Sequence, residues 1–341
     1  MAQRFYTLIQ MGTKRNSNTE LLRILAMFMI LLIHANYKTF GAPSGISLST
    51  FLRSSLESFT LSAIPLFVLI SGYWGITLKI EKIGALVFQT LFALIPSLLL
   101  YIAAYHPHSL VPRDFRFWFI QSYLGLLVLA PVLNAFANRI TKPLVKYIFI
   151  ISLLFSFGDL VCPTLGIKHG YSTLWFCLLY LMGRCLRFKR LSITTSTSVL
   201  VILASTLVSG AICMFVPVLN TYTNPFIVLI AIMFITMAMG REQFHSRWIN
   251  SISQSVTMVY LTNDSRVGSI FYKDFLENTY ANNSIMIFLL ISILFMVVWF
   301  VLSIIYDRLR IVIWKGVYRL FSSIIVKWDK RLIEIQTQTP Q

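Results

Sequence analysis

The sequence predicts an all-α integral membrane protein with about ten transmembrane helices in one bundle and both termini cytoplasmic. Three observations predict it. Of the 341 residues, 57% are hydrophobic and only 12% are charged, against about 25% charged in soluble domains, and the mean hydropathy is +0.75. Apolar stretches near the roughly 20 residues needed to cross a bilayer recur along the chain. Lysine and arginine gather in alternate connections, the positive-inside pattern. The net charge of +17 is spread between apolar runs instead of forming one patch interleaved with aromatics. That distribution argues against nucleic acid as a partner and for membrane lipids.

Taken in order, the spans run over 20–39, 54–75, 84–105, 116–137, 143–161, 171–188, 196–217, 223–240, 249–271 and 284–306. The first starts near Leu21 and is about 20 residues long, so it reads as a true span and not a cleavable signal. The ninth is less apolar and carries Asn263, Asp264 and Arg266 near its end. With the N-terminus inside, the inner segments hold 21 Lys and Arg against seven outside, and Arg23 is left within the first span. Such an asymmetry places both termini in the cytoplasm. From Asp307 to Ile335, apolar residues such as Ile311, Trp314 and Leu320 alternate with Lys and Arg, as in a helix lying in the cytoplasmic interface. The expected organisation is a cytoplasmic segment over 1–19, a ten-span domain over 20–306 and a basic amphipathic tail over 307–341. Cys162, Cys177, Cys185 and Cys213 show no C-x-x-C spacing, so neither a metal site nor a disulfide framework is expected.

Arg23 and His34 lie eleven residues apart in the first apolar run. Eleven helical residues turn through about 1100°, three turns plus about 20°, so both side chains leave one face, about 16.5 Å apart along the axis. Ionisable side chains inside a span are costly and face a protein interior or a watery cavity. Two on one stripe point to a site.

The chain resembles the acyltransferase-3 family. Asn18-Thr19-Glu20-Leu21-Leu22-Arg23 through His34 is similar to that family's opening R-x10-H motif, and Pro65 through Tyr73 is similar to its P-L-F-F-x-x-S-G-Y signature. Trp118-Phe119, Tyr123-Leu124, Pro131 to Asn134 and Leu179 to Arg184 have the same flavour. Ser251 to Ser253 and Val259 to Asp264 stand where many relatives read Y-L-I-H-D/N. Two departures stand out. Lys79 and Lys82 replace an R-x-x-R motif, giving point charges without the bidentate fork of arginine. Thr262-Asn263 replaces the late histidine. The resemblance is closest to the branch that O-acetylates surface polysaccharides.

The resemblance implies an acetyl-CoA (acyl-CoA) co-substrate entering from the cytoplasm, no permanently bound cofactor, and an outward-facing glycan or lipid-linked oligosaccharide as acceptor. It implies a multi-pass enzyme of the bacterial inner membrane. Arg23 would hold donor phosphates through charge-assisted bonds, with Ser71, Tyr73, Lys79 and Lys82 around the donor. His34, whose ordinary pKa of about 6.5 suits proton transfer at neutral pH, would be the general base or carry the acyl group as an intermediate. Glu57 could orient it or bind a sugar hydroxyl. Trp118, Tyr123, Asn134, Asn263 and Asp264 would line the acceptor side.

Each assignment has a plain structural counterpart. Arg23 could snorkel to the interface, and His34 could be a satisfied bundle histidine. Ser71 and Tyr73 could be a packing residue and an aromatic-belt residue; Lys79 and Lys82 could be ordinary positive-inside charges. A transporter or flippase of a glycan precursor also suits ten spans with buried charges, but no paired repeats or matching broken helices accompany them. A succinyltransferase of the same fold and a non-catalytic acyl-CoA sensor are the remaining alternatives, the sensor disfavoured by the intact His34.

Overall fold

The structure, a computed structural model, describes residues 15–105, 117–162, 165–189 and 193–337. Residues 1–14 of the expected N-terminal segment and the first residue of the expected fourth span lie outside the described residues. Among the described residues there are thirteen α-helices and no strand. They are α1 Ser17–Phe40, α2 Leu48–Leu61, α3 Ala63–Trp74, α4 Ile80–Tyr105, α5 Trp118–Ala137, α6 Lys142–Val161 and α7 Thr173–Lys189. After these come α8 Thr195–Phe215, α9 Pro225–Met239, α10 Arg247–Ser253, α11 Val256–Asp264, α12 Arg266–Asn282 and α13 Ile285–Thr337.

Among the described residues, six stretches are long and apolar enough to cross a membrane: Ser17–Phe40, Leu48–Trp74, Ile80–Ala104, Trp118–Ala137, Thr195–Phe215 and Ile285–Glu334. Ten were expected; the four other stretches are shorter, divided or more charged at their ends. α6 carries Lys142, Lys146 and Asp159; α7 has 17 residues and ends in Arg184, Arg187 and Lys189; α9 has 15. The ninth expected span is three helices, interrupted at Gln254–Ser255 and again at Ser265. Ser265 accepts a bond from the Gly268 amide and so caps α12, the usual work of serine at a helix start. The second span is also divided: Pro65 lacks the N–H that would bond back to Leu61, and the chain turns at Ser62 between α2 and α3.

α1 is the central helix and packs against α2, α3, α9, α10, α11, α12 and α13. Asn16 caps its start by accepting from the Asn18 amide at 3.0 Å, and Glu20 in the first turn complements the helix dipole. The crossing of α3 and α7 is closer than side chains permit. A Cβ at Gly72 would run into the Tyr180 carbonyl, and one at Gly183 into the Leu69 carbonyl. Small residues that let backbones touch are the usual means of close packing between membrane helices. Large aliphatic side chains such as Leu99, Leu154, Leu200 and Leu290 point outward from four different helices and remain exposed, as a lipid-facing surface requires.

α13 runs for 53 residues without a break at Asp307, where the tail was expected to begin. Asp307 is fully buried and is held by Arg310 through two bonds of 2.9 Å and by Gln89 of α4 at 3.0 Å. Trp314 then packs on Phe88 and covers Gly84. Further along, Asp329 accepts from the Ile80 amide, and Gln336 bonds both the amide and the carbonyl of Leu78 at 3.1 Å each. From Trp314 to Asp329 the helix advances about 22 Å, while its contacts on the other segment move back only from Gly84 to Ile80. The end of α13 therefore crosses the start of α4 and does not continue alongside it.

Candidate active site

The helical period of α1 lays out one stripe. Thr19, Arg23, Met27 and Ile30 follow at intervals of four, four and three residues, and with Arg15 they line a cavity of about 960 Å³. His34 continues the stripe four residues past Ile30, one turn or about 6 Å further on. Because α1 is continuous from Ser17 to Phe40, the separation of Arg23 and His34 is that of an unbroken helix.

The cavity has a cationic end and an apolar end. Arg15, Arg23, Lys82 and Arg187 line it together, where α1 begins and α3 and α7 finish. Arg23 donates to Glu20 at 2.5 Å, and Glu20, nearly inaccessible, also accepts from Ser253 of α10. That bond engages Nη1 and leaves other donors of the five-membered guanidinium set. Trp74 donates through its ring nitrogen to Thr19 at 3.1 Å, and the Arg187 guanidinium sits 5.5 Å from the Trp74 ring. Lys82 reaches the Thr77 carbonyl at 3.3 Å. Deeper, Met27, Ile30, Phe67, Phe119 and Tyr260 replace the charges. Such a distribution draws negative charge to the cationic end and leaves the other end to largely uncharged groups.

Of the expected donor residues, Arg23, Ser71 and Lys82 line this cavity, together with Tyr123 from the expected acceptor set. Ser71 and Tyr123 bond one another at 3.1 Å across α3 and α5. Tyr73 does not line it: its ring packs edge-on against Trp74, and its carbonyl accepts from Arg187. Lys79 is likewise outside the lining.

His34 stands in a second group. Its Nδ1 meets Oδ1 of Asn263, the penultimate residue of α11. Lys38, one turn along α1, donates to the Asn263 carbonyl at 3.3 Å and to its Oδ1 at 3.5 Å, and lies 4.0 Å from Asp264. Glu57 belongs to a third group. It accepts from Asn36 at 2.8 Å and from Asn220, while Arg53 donates to Asn36 at 3.1 Å. The partner holding His34 is thus Asn263 and not Glu57.

Trp118 is one plate of an aromatic cluster with Tyr171 and Tyr222, centroids 4.4 and 5.4 Å away. Asn134 has a structural place: it accepts from the Tyr180 hydroxyl at 2.6 Å and donates to the Ile76 carbonyl at 2.8 Å, and Tyr180 in turn accepts from the Ile76 amide at 2.9 Å. This closed triangle fixes the chain just after the S-G-Y segment. Among the described residues, no group of three His, Cys, Asp or Glu stands close enough to hold a metal ion.

Sequence reasoning did not single out Arg15, Glu20, Trp74, Arg187 or Tyr260 as cavity residues. Arg15 and Arg187 carried a signal, but the same one as every positive-inside charge. Lys38 was findable, being four residues from His34 on one helix.

A family model described as "Acyltransferase domain" matches residues 16–304. No curated protein and no solved structure matches the chain significantly.

Proposed function

Because the chain belongs to the acyltransferase-3 family, we propose that this membrane acyltransferase moves an acyl group, acetyl by default, from cytoplasmic acyl-CoA to a hydroxyl of a bacterial cell-envelope glycan or its lipid-linked precursor. The observation that carries the reading is the single stripe of α1: Arg23 at the cationic cavity end, with Arg15 just ahead of the helix, then apolar Met27 and Ile30, and His34 one turn beyond. In this reading the donor's phosphates rest among Arg15, Arg23, Lys82 and Arg187, with Arg bonds to phosphate the strongest of them. The pantetheine arm lies along α1. The positive-inside bias of the loops supports a cytoplasmic setting for this end, in an enzyme of the inner membrane.

His34 then takes the proton of the sugar hydroxyl as the oxygen attacks the thioester carbonyl. The new C–O bond forms, the C–S bond breaks, and the proton passes from imidazole to the departing thiolate. Asp264, the last residue of α11, offers the polar edge at which the acceptor is held.

The test is mass analysis of envelope glycan from a deletion strain complemented with wild type, His34→Ala or Arg23→Ala. His34→Ala, expressed at the normal level, should leave the glycan without the acyl mark; full restoration would show the base to be elsewhere. In membrane vesicles supplied with acetyl-CoA, Arg23→Ala should raise the half-saturating donor concentration by about 10- to 100-fold, the worth of a charged hydrogen bond. No change in that concentration would remove Arg23 from the donor site.

A further inference from the structure

A histidine that accepts a proton must keep one ring nitrogen bare, and which one is set by the bond the other makes. His34 Nδ1 meets the Asn263 side chain. A carboxamide can present either its oxygen or its NH2 group, and the two orientations leave opposite tautomers on the ring. If oxygen faces the ring, Nδ1 carries the hydrogen and Nε2 is bare. If nitrogen faces it, Nδ1 is the acceptor and Nε2 carries the hydrogen.

Lys38 decides between them. An ammonium has donors and no acceptor, and it lies 3.3 Å from the Asn263 carbonyl and 3.5 Å from the side-chain atom nearest His34. An oxygen at that position is attracted to the ammonium; an NH2 group would set donor against donor. Asp264, 4.0 Å away, holds Lys38 from the other side. Asn263 is fully buried, so its amide has no water with which to settle the matter. Its Nδ2 has no partner among the described residues, although an unmet buried donor costs about 1–3 kcal/mol. The oxygen-inward orientation is kept in spite of that cost, because two donors, one from the ring and one from Lys38, converge on Oδ1.

We propose that Asn263 and Lys38 are positioning residues that fix His34 as the Nδ1–H tautomer, with Nε2 as the proton acceptor. The assignment rests on His34 being the base. It uses two helices only: His34 and Lys38 share α1, and Asn263 and Asp264 close α11.

The experiment is a rate matrix in membrane vesicles, with added acetyl-CoA as donor and the native glycan as acceptor. Asn263→Ala should lower the maximal rate by about 10- to 100-fold, a part of the about 100- to 10,000-fold that a general base supplies, while leaving the half-saturating donor concentration within about twofold. Asn263→Asp should stay within about threefold of wild type, because either carboxylate oxygen accepts from Nδ1–H. Lys38→Met should lower the maximal rate at least about fivefold in the otherwise wild-type protein. In the Asn263→Asp protein, whose carboxylate has no wrong face to present, the same change should cost less than about twofold. A merely structural lysine would cost the same in both backgrounds, and that result overturns the proposal. So does an Asn263→Asp protein that is folded, by membrane level and monodispersity in detergent, yet as slow as Asn263→Ala. Full activity of His34→Ala in the same vesicles would remove the underlying function and this proposal together. An inactive His34→Ala with either of the other failures removes this proposal alone.

Discussion

Gly72 shows how a motif residue can be conspicuous for a reason its own chain segment does not reveal. The S-G-Y segment suggests a site, yet what fills the space above Gly72 is the Tyr180 backbone of α7. Ser71 next to it lines the cavity and bonds Tyr123, whereas Tyr73 turns away. One tripeptide thus divides into a cavity residue, a helix contact and an aromatic packed on Trp74. Gly72→Ala must push two backbones apart, and overpacking of this kind costs about 1–3 kcal/mol. Purified protein in detergent should melt at a lower temperature than wild type, with α3 displaced from α7. An unchanged melting temperature would mean that the crossing is slack. Asn134 makes the same point from the other direction. It was legible as a polar residue in a span, but its two partners, Ile76 and Tyr180, come from segments far away in sequence.

Among the elements, the end of α13 shows most plainly what a sequence pattern leaves out. Its amphipathic pattern is legible in the alternation of apolar and basic residues. What no pattern conveys is that Asp329 serves the first amide of α4 and that Gln336 takes both hydrogen-bonding groups of Leu78. The segment so held leads to Lys82 in the cavity wall. Replacing both Asp329 and Gln336 by Ala should therefore weaken donor binding. Loss of a side-chain cap is worth about 0.5–2 kcal/mol, so the half-saturating acetyl-CoA concentration should rise by about 2- to 30-fold, with the maximal rate preserved. If neither kinetic constant moves, the tail is an anchor alone. The ninth expected span was misread for a related reason. Polar residues near Asn263 looked like the end of one helix, while the Ser255 and Ser265 junctions make three.

At the scale of the whole molecule, what the sequence conveys is periodic and local. Membrane character, the face shared by Arg23 and His34, and the amphipathic alternation after Asp307 all depend on residues within a few turns of one another. The site joins parts that do not. His34 and Asn263 are 229 residues apart, and the cavity draws its charges from α1, α4 and α7 as well as the approach to α1. No spacing rule links such positions; they meet only because helices distant in sequence pack together, seven of them on α1 and α7 on α3.

The pin at Asp307 has a mechanical consequence. Asp329 lies 22 residues beyond it on the same rod, an arm of about 33 Å. A tilt of about 5° would carry the far end by about 3 Å, the length of a hydrogen bond. Transmembrane helices answer a change of bilayer thickness by tilting, and a tilt of α13 would be felt at Leu78 and Ile80, where its end is bonded. Reconstitution in lipids of graded acyl length should move the donor concentration for half-saturation while the wild-type tail grips that segment, and should cease to move it in the Asp329→Ala/Gln336→Ala protein. A thickness response that survives the double substitution would place the sensing element elsewhere. A rod fixed at Asp307 would then act as a gauge of the membrane, with its pointer resting on the segment that leads to Lys82.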